Sequence, residues 1–71
     1  MARTIAFALI PEGRGYQPGT GVYLRDVGGY HPFVTHIGSP ENGFVWGHYF
    51  NNEAEARADF HERAKQYDAL V

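Results

Sequence analysis

The chain contains no cysteine, and at this size that absence constrains the fold more than any motif does. Seventy-one residues lie near the lower limit at which one hydrophobic core holds without disulfides or a structural metal. A disulfide framework and a thiolate zinc site are both excluded, so side-chain packing must supply the stability, a composition that suits a reducing compartment. Five Phe, five Tyr and one Trp are the large side chains on offer, and each ring buries roughly 150–250 Å² when enclosed. The expected core is therefore aromatic. Residues 1–71 leave no room for a second domain.

The longest apolar run near the N-terminus, Ile5 to Ile10, is too short for a secretory leader core or a membrane span, which points to a soluble cytoplasmic protein with no membrane partner. The formal charge of −2 is unevenly divided, with an excess of one positive charge over residues 1–37 and of three negative charges over 38–71. No basic stripe of the kind that neutralises phosphates is present.

Periodicity predicts four strands and one helix. The first strand, about residues 3–10, alternates Ile5, Phe7 and Leu9 with the small Ala6 and Ala8; one face is expected to be buried while a neighbour packs closely on the other. The second, 22–27, sets Val22 and Leu24 against Tyr23, Arg25 and Val27 and reads as half-exposed. Gly28 and Gly29 suit a tight turn that needs positive φ, and the chain returns over 32–37. Pro32 belongs at the start or edge of that strand because it lacks an amide donor. Residues 38–43 are turn-forming, and "FVWGHYF" (44–50) is the clearest strand in the chain. With Ile37 opposite Phe44, the hairpin would place Phe33, Thr35 and Ile37 beside Phe44, Trp46, His48 and Phe50 on the core face, with Trp46 as a core residue or, failing that, an interface residue. A slip of one residue would flip the set.

The helix is expected over about 53–69. Asn52 followed by Glu55 has the spacing of a capping box. Ala56, Phe60, Ala64 (or the stem of Arg63), Tyr67 and Val71 form an apolar stripe that should pack on the sheet. Glu53 with Arg57, and Asp59 with Arg63, are acid-before-base pairs at i, i+4 that mark a solvated face. The predicted fold class is α+β: a small antiparallel sheet of three or four strands with one C-terminal helix across one face.

The glycine-rich segment "PEGRGYQPGTG" (11–21) does not carry a phosphate-binding loop. It lacks the Gly-Lys-Ser/Thr ending, Pro18 breaks the dinucleotide pattern, and a strand follows where both motifs need a helix. It reads as a long mobile connection whose tip residues Arg14, Tyr16 and Gln17 are suited to ordering against a partner. His31, His36, His48 and His61 form no i, i+4 pair, and the hairpin register sends His36 and His48 to opposite faces, so no metal or other cofactor is expected. His48 reads instead as a half-buried ring hydrogen-bonded at the sheet edge. Ser39, the single serine, lies in a turn with Glu41 and His36 within reach but no oxyanion donor, and no catalytic residues are assigned.

Residues 31–63, with a strand ending "WGHYF" and then a polar cap and a helix bearing Ala58, Asp59, Phe60, Glu62 and Arg63 in an "ADF.ER"-type segment, resemble small proteins of unassigned activity encoded by phages, plasmids and genomic islands. The resemblance covers about the second half of the chain and brings no catalytic residues. It implies a setting in which small cysteine-free proteins bind and block host proteins, among them CRISPR effectors and restriction systems, as anti-CRISPR and other anti-defence inhibitors do. The function expected is a non-enzymatic protein-binding module. Its contacts would be Arg14, Tyr16 and Gln17 on the glycine loop, Glu41 and Asn42 in the second hairpin loop, and the acidic helix face Glu55, Asp59 and Glu62. The alternative is a single-stranded nucleic-acid-binding domain using an aromatic sheet face, with pieces from Tyr23, Tyr30 and Tyr49 and from Arg3, Arg14 and Arg25. A homodimer through a sheet edge or a bare sheet face is a third expectation.

Overall fold

The computed structural model describes residues 2–69. The elements follow the expected order: β1 (Arg3–Leu9), β2 (Gly21–Asp26), β3 (Phe33–Ser39), β4 (Gly43–Phe50) and α1 (Glu53–Gln66). The strands form one antiparallel sheet in the order β1-β2-β3-β4, and α1 packs across one of its faces against β2, β3 and β4. The α+β architecture expected from the sequence is thus present. Among the described residues no helix is long and apolar enough to cross a membrane.

Cross-strand partners share a face of a sheet. Ala8 pairs with Val22, Val22 with Ile37, Ala6 with Leu24 and Leu24 with Thr35, which fixes the helix-covered face. The core there is Ala8, Ile10, Val22, Leu24, Ile37, Ala56, Phe60 and Ala64, with Phe33, Phe50 and Tyr67 partly buried at its margin. The expectation of an aromatic core fails in a specific way. Alanines on both partners, Ala8 on the sheet and Ala56 and Ala64 on the helix, bring the helix close to the sheet, and Phe60 is the one ring completely enclosed between them. In β1 it is accordingly the small side, Ala6 and Ala8, that lies on the helix-covered face and joins the core, while Phe7 and Leu9 remain exposed on the far side. β2 is buried through Gly21–Leu24, not half-exposed, because it is an inner strand with packing on both faces.

The β3–β4 register departs from expectation at one point. Phe33 pairs with Phe50 and Thr35 with His48, so these four residues lie on the helix face as expected. Beyond them Ile37 pairs with Val45 and Gly38 with Phe44, because β4 holds an extra residue opposite His36. This β-bulge reverses the alternation, sending Phe44 to the far face. Trp46, at the bulge with φ +56°, is 60% exposed and not a core residue. A second irregularity lies in β1 between Thr4 and Ala6.

At the helix start Asn52 Oδ1 accepts from the Glu55 amide at 3.2 Å, the asparagine half of the expected capping box. The helix ends earlier than expected, in a Schellman motif: Ala69 N–H donates to Ala64 O and Asp68 N–H to Lys65 O. Asp68 takes the left-handed position (φ +53°) usually held by glycine; aspartate is among the few side chains that enter that region with little strain. Val71, the last residue of the expected stripe, lies outside the described residues. Glu53 and Arg57 pair at 2.9 Å as expected, but Asp59 and Arg63 do not pair with each other. Arg63 is buried and donates to Thr35 O at 3.0 Å and to Thr35 Oγ1 at 3.1 Å. Asp59 accepts from Thr35 Oγ1 at 2.5 Å and contacts His48 Nδ1 at 3.0 Å. The pair read as a mark of solvent is a polar clamp between helix and sheet.

Candidate functional site: the uncovered face of the sheet

The face opposite the helix is built by the same alternation that builds the core. Phe7, Tyr23 and His36 are cross-strand partners in one row, and Arg25, Val34 and Tyr49 in the next. A third row, toward the turns, reads Leu9, Gly21, Gly38 and Phe44. Its two glycines are required by close approach. A Cβ on Gly21 would stand 3.0 Å from the Phe7 ring and 2.6 Å from Ala8 O, and one on Gly38 (φ +147°) would stand 2.1 Å from Gly43 O. The bare backbone there leaves room for the Phe7 ring beside Gly21 and for the β4 backbone beside Gly38.

These rings interlock. Phe7 and Tyr23 have centroids 4.9 Å apart, Tyr23 meets Phe44 edge-on at 5.0 Å, and His36 stacks on Phe44 at 4.0 Å with 7° between the planes. The Arg25 guanidinium lies over the Phe44 ring at 4.8 Å, a cation–π contact. The result is a second, smaller core: Tyr23, Val34 and His36 are buried although no backbone element covers them. Around them Phe7 (43% exposed), Leu9 and Tyr49 (61%) face outward. The described residues enclose no pocket, so this is a surface for laying something across, not a cleft for holding a small molecule.

Two ionisable groups take their character from the cluster. Burial, then Arg25 and Arg63, pushes His36 down to about 4, so its ring is neutral in the stack. Its Nε2 is buried with no hydrogen-bond partner among the described residues. Burial, and secondarily the Glu41 carboxylate, holds the Tyr23 phenol above its ordinary range. Glu41, in the β3–β4 turn, thus borders the turn end of this face.

The residues singled out from sequence are scattered. Arg14 pairs with Asp68 at 2.8 Å and Tyr16 meets Tyr67 edge-on at 6.0 Å, so the glycine loop is seated on the C-terminal end of the helix. Its base is tied by Ile10 N–H to Thr20 O and Thr20 N–H to Gln17 O; the expected mobile connection is a clasp. Asn42 N–H donates to Ser39 Oγ at 3.0 Å, which holds the second hairpin turn. Glu55 and Glu62 are exposed on the helix, whereas Asp59 is turned to the sheet. Of the residues considered for an aromatic face, Tyr23, Tyr49 and Arg25 do share it. Tyr30 lies in the β2–β3 loop beside His31, and Arg3 contacts Asp26 at 3.6 Å. Phe7, His36 and Phe44 are not legible as one group in the sequence, because a bulge brings Phe44 to them; Gly47 inside an otherwise apolar strand is the signal that marks it. Among the described residues no group of three or more His, Asp or Glu is placed to hold a metal ion.

No family model, no curated protein and no solved structure matches the chain.

Proposed function

We propose that the chain is a non-enzymatic protein-binding module whose contact surface is the uncovered sheet face. The observation that carries this is the interlocked cluster of Phe7, Tyr23, Phe44, His36 and Arg25, which organises an apolar surface rimmed by exposed Phe7, Leu9 and Tyr49. Interface centres are enriched in aromatic residues and arginine in this way. Occupation of a host defence complex such as a CRISPR effector is its most concrete version. The resemblance of residues 31–63 to proteins of mobile elements supports that version.

Single-stranded nucleic acid is served less well by the same face. Bases stack on open ring faces beside free cations, but Phe44 is covered by His36 and Arg25, and Tyr23 is buried. Arg3, Arg14, Arg57 and Arg63 are engaged with Asp26, Asp68, Glu53 and Thr35.

The test is capture from nuclease-treated bacterial lysate by the tagged chain, compared with a Phe7→Ser/Tyr49→Ser variant that folds. A stoichiometric protein retained by the first and lost by the second is the expected outcome. Retention of the same protein by both would remove the sheet face as its site, and recovery of nucleic acid alone, released by moderate salt, would replace the protein partner.

A further inference from the structure

We infer that Asn42 is a self-modifying site: the backbone nitrogen of Gly43 attacks its side-chain amide, and the turn converts with age to aspartyl and isoaspartyl forms. The chain carries three asparagines, Asn42, Asn51 and Asn52, and the fold treats them differently. Asn51 Oδ1 is held by His31 Nδ1 at 2.5 Å and Asn52 Oδ1 by the Glu55 amide at 3.2 Å. Asn42 is exposed, and its side chain forms no hydrogen bond among the described residues. What is tethered is its backbone, whose N–H donates to Ser39 Oγ at 3.0 Å.

The residue that follows decides whether the amide can be reached. The attacking nitrogen belongs to Gly43, which has no Cβ to stand in the way and lies at φ +87° beside open space. Asn51 and Asn52 are followed by Asn52 and Glu53, each with a side chain at that point, and Glu53 is already the first residue of α1. Asparagine is a thermally labile residue, and of the three Asn42 alone joins a free amide to an unhindered neighbour.

The step involves no redox change and needs only water. The Gly43 nitrogen gives its proton to solvent base and bonds to Asn42 Cγ; the Cγ–Nδ2 bond breaks and that nitrogen leaves as ammonia, closing a five-membered cyclic imide. Water then opens the ring. Breaking the N–Cγ bond restores the original chain with an aspartate side chain, whereas breaking the bond from N to the backbone carbonyl carbon leaves the chain running through Cβ and Cγ, one carbon longer.

The longer chain falls where the fold has no slack. Residues 40–42 join Ser39 to its partner Gly43, and Gly38 lies so close to Gly43 O that a Cβ there would stand 2.1 Å away. Phe44 comes next, the ring that holds His36 at 4.0 Å, Tyr23 at 5.0 Å and Arg25 at 4.8 Å. An added backbone atom shifts Gly43 against Ser39 and draws Phe44 out of the cluster. The aspartyl product adds a negative charge beside Glu41 and leaves the ring in place.

Mass spectrometry of the purified chain during incubation in mildly alkaline buffer tests this. A gain of about 1 Da is expected, localised by fragmentation of the tryptic peptide 26–57, which carries all three asparagines. It should arise at Asn42 at least ~10-fold faster than at Asn51 or Asn52. Asn42→Gln keeps an exposed amide but would have to close a larger ring, so it removes the fast gain. Once chromatography has separated the products, the isoaspartyl form should unfold at lower urea than the parent and the aspartyl form close to the parent's midpoint. Conversion no faster at Asn42 than at Asn51 and Asn52, or a fast gain that persists in Asn42→Gln, overturns the inference; an isoaspartyl form as stable as the parent overturns its link to Phe44. None of these outcomes involves a partner, so the protein-binding reading stands or falls on the lysate comparison alone.

Discussion

Trp46 occupies the backbone position of a bulge where glycine is the natural tenant, and Gly47 stands directly after it. A bulky residue in the left-handed region costs roughly 1–2 kcal/mol, and an indole that is mostly exposed recovers little of that by burial. Trp46→Gly is therefore expected to leave stability unchanged or raise it by ~1 kcal/mol in urea melts; a loss of several kcal/mol would mean the indole holds the hairpin together. His36 makes the opposite kind of demand. Folded, its imidazole stays neutral down to about 4, while in the unfolded chain it takes up a proton near its ordinary value of 6.5. Between these values the unfolded state binds more protons, so this residue's contribution weakens stability as pH falls from 6.5 toward 4 and changes little outside that window. His36→Phe keeps a ring against Phe44 and removes the unpartnered Nε2. Its stability relative to the parent should improve by on the order of 2 kcal/mol between pH 7 and pH 4, measured from urea midpoints at each pH. Parallel pH curves for the two proteins would show that His36 is not buried neutral.

At the level of elements, most of the fold could be read from local chemistry. Strands β2 and β4 are bounded by turn residues, Gly28 and Gly29 do take positive φ, and Asn52 does start the helix. Alternation and 3.6-residue spacing report which side of an element is apolar, but not which apolar side meets which. That is why the sequence does not show that Ala6 and Ala8, rather than Phe7 and Leu9, are the buried side of β1, and why one extra residue in β4 is enough to move Phe44 across the sheet. The helix offers a sharper case. Asp59 and Glu62 look alike in sequence, two acids in an amphipathic helix, yet Asp59 receives the buried Thr35 hydroxyl and contacts His48 while Glu62 stands in solvent. A hydrogen bond to a charged group contributes roughly 1.5–3 kcal/mol, so Asp59→Ala should cost about 2 kcal/mol in a denaturant melt and Glu62→Ala should leave the midpoint within error. Equal effects would mean that the clamp adds nothing. The site was legible only in fragments for the same reason: Tyr23, Tyr49 and Arg25 share a strand face by simple alternation, whereas Phe44 joins them through a backbone irregularity.

Over the whole molecule, charge is distributed by engagement as much as by composition. The arginines are taken up by carboxylates, a ring and a threonine, whereas Glu41, Glu55 and Glu62 form no ion pair among the described residues. Each ion pair removes one charge of each sign, so the formal charge of −2 stands and what changes is its placement, with Glu41, Glu55 and Glu62 left outside the pairs. Two apolar layers back to back, one beneath the helix and one beneath nothing, give the molecule a finished side and an open side. The order of the strands in space is also their order along the chain, and that has a kinetic meaning. Each strand pairs with the one made just before it, so no strand waits for a distant partner, and the early contacts close only short loops. The long-range closures come last in sequence, when the helix settles on β2 and β3 and Arg14 meets Asp68. Until then the sheet is bare on both sides, and the arrival of the helix decides which side stays so.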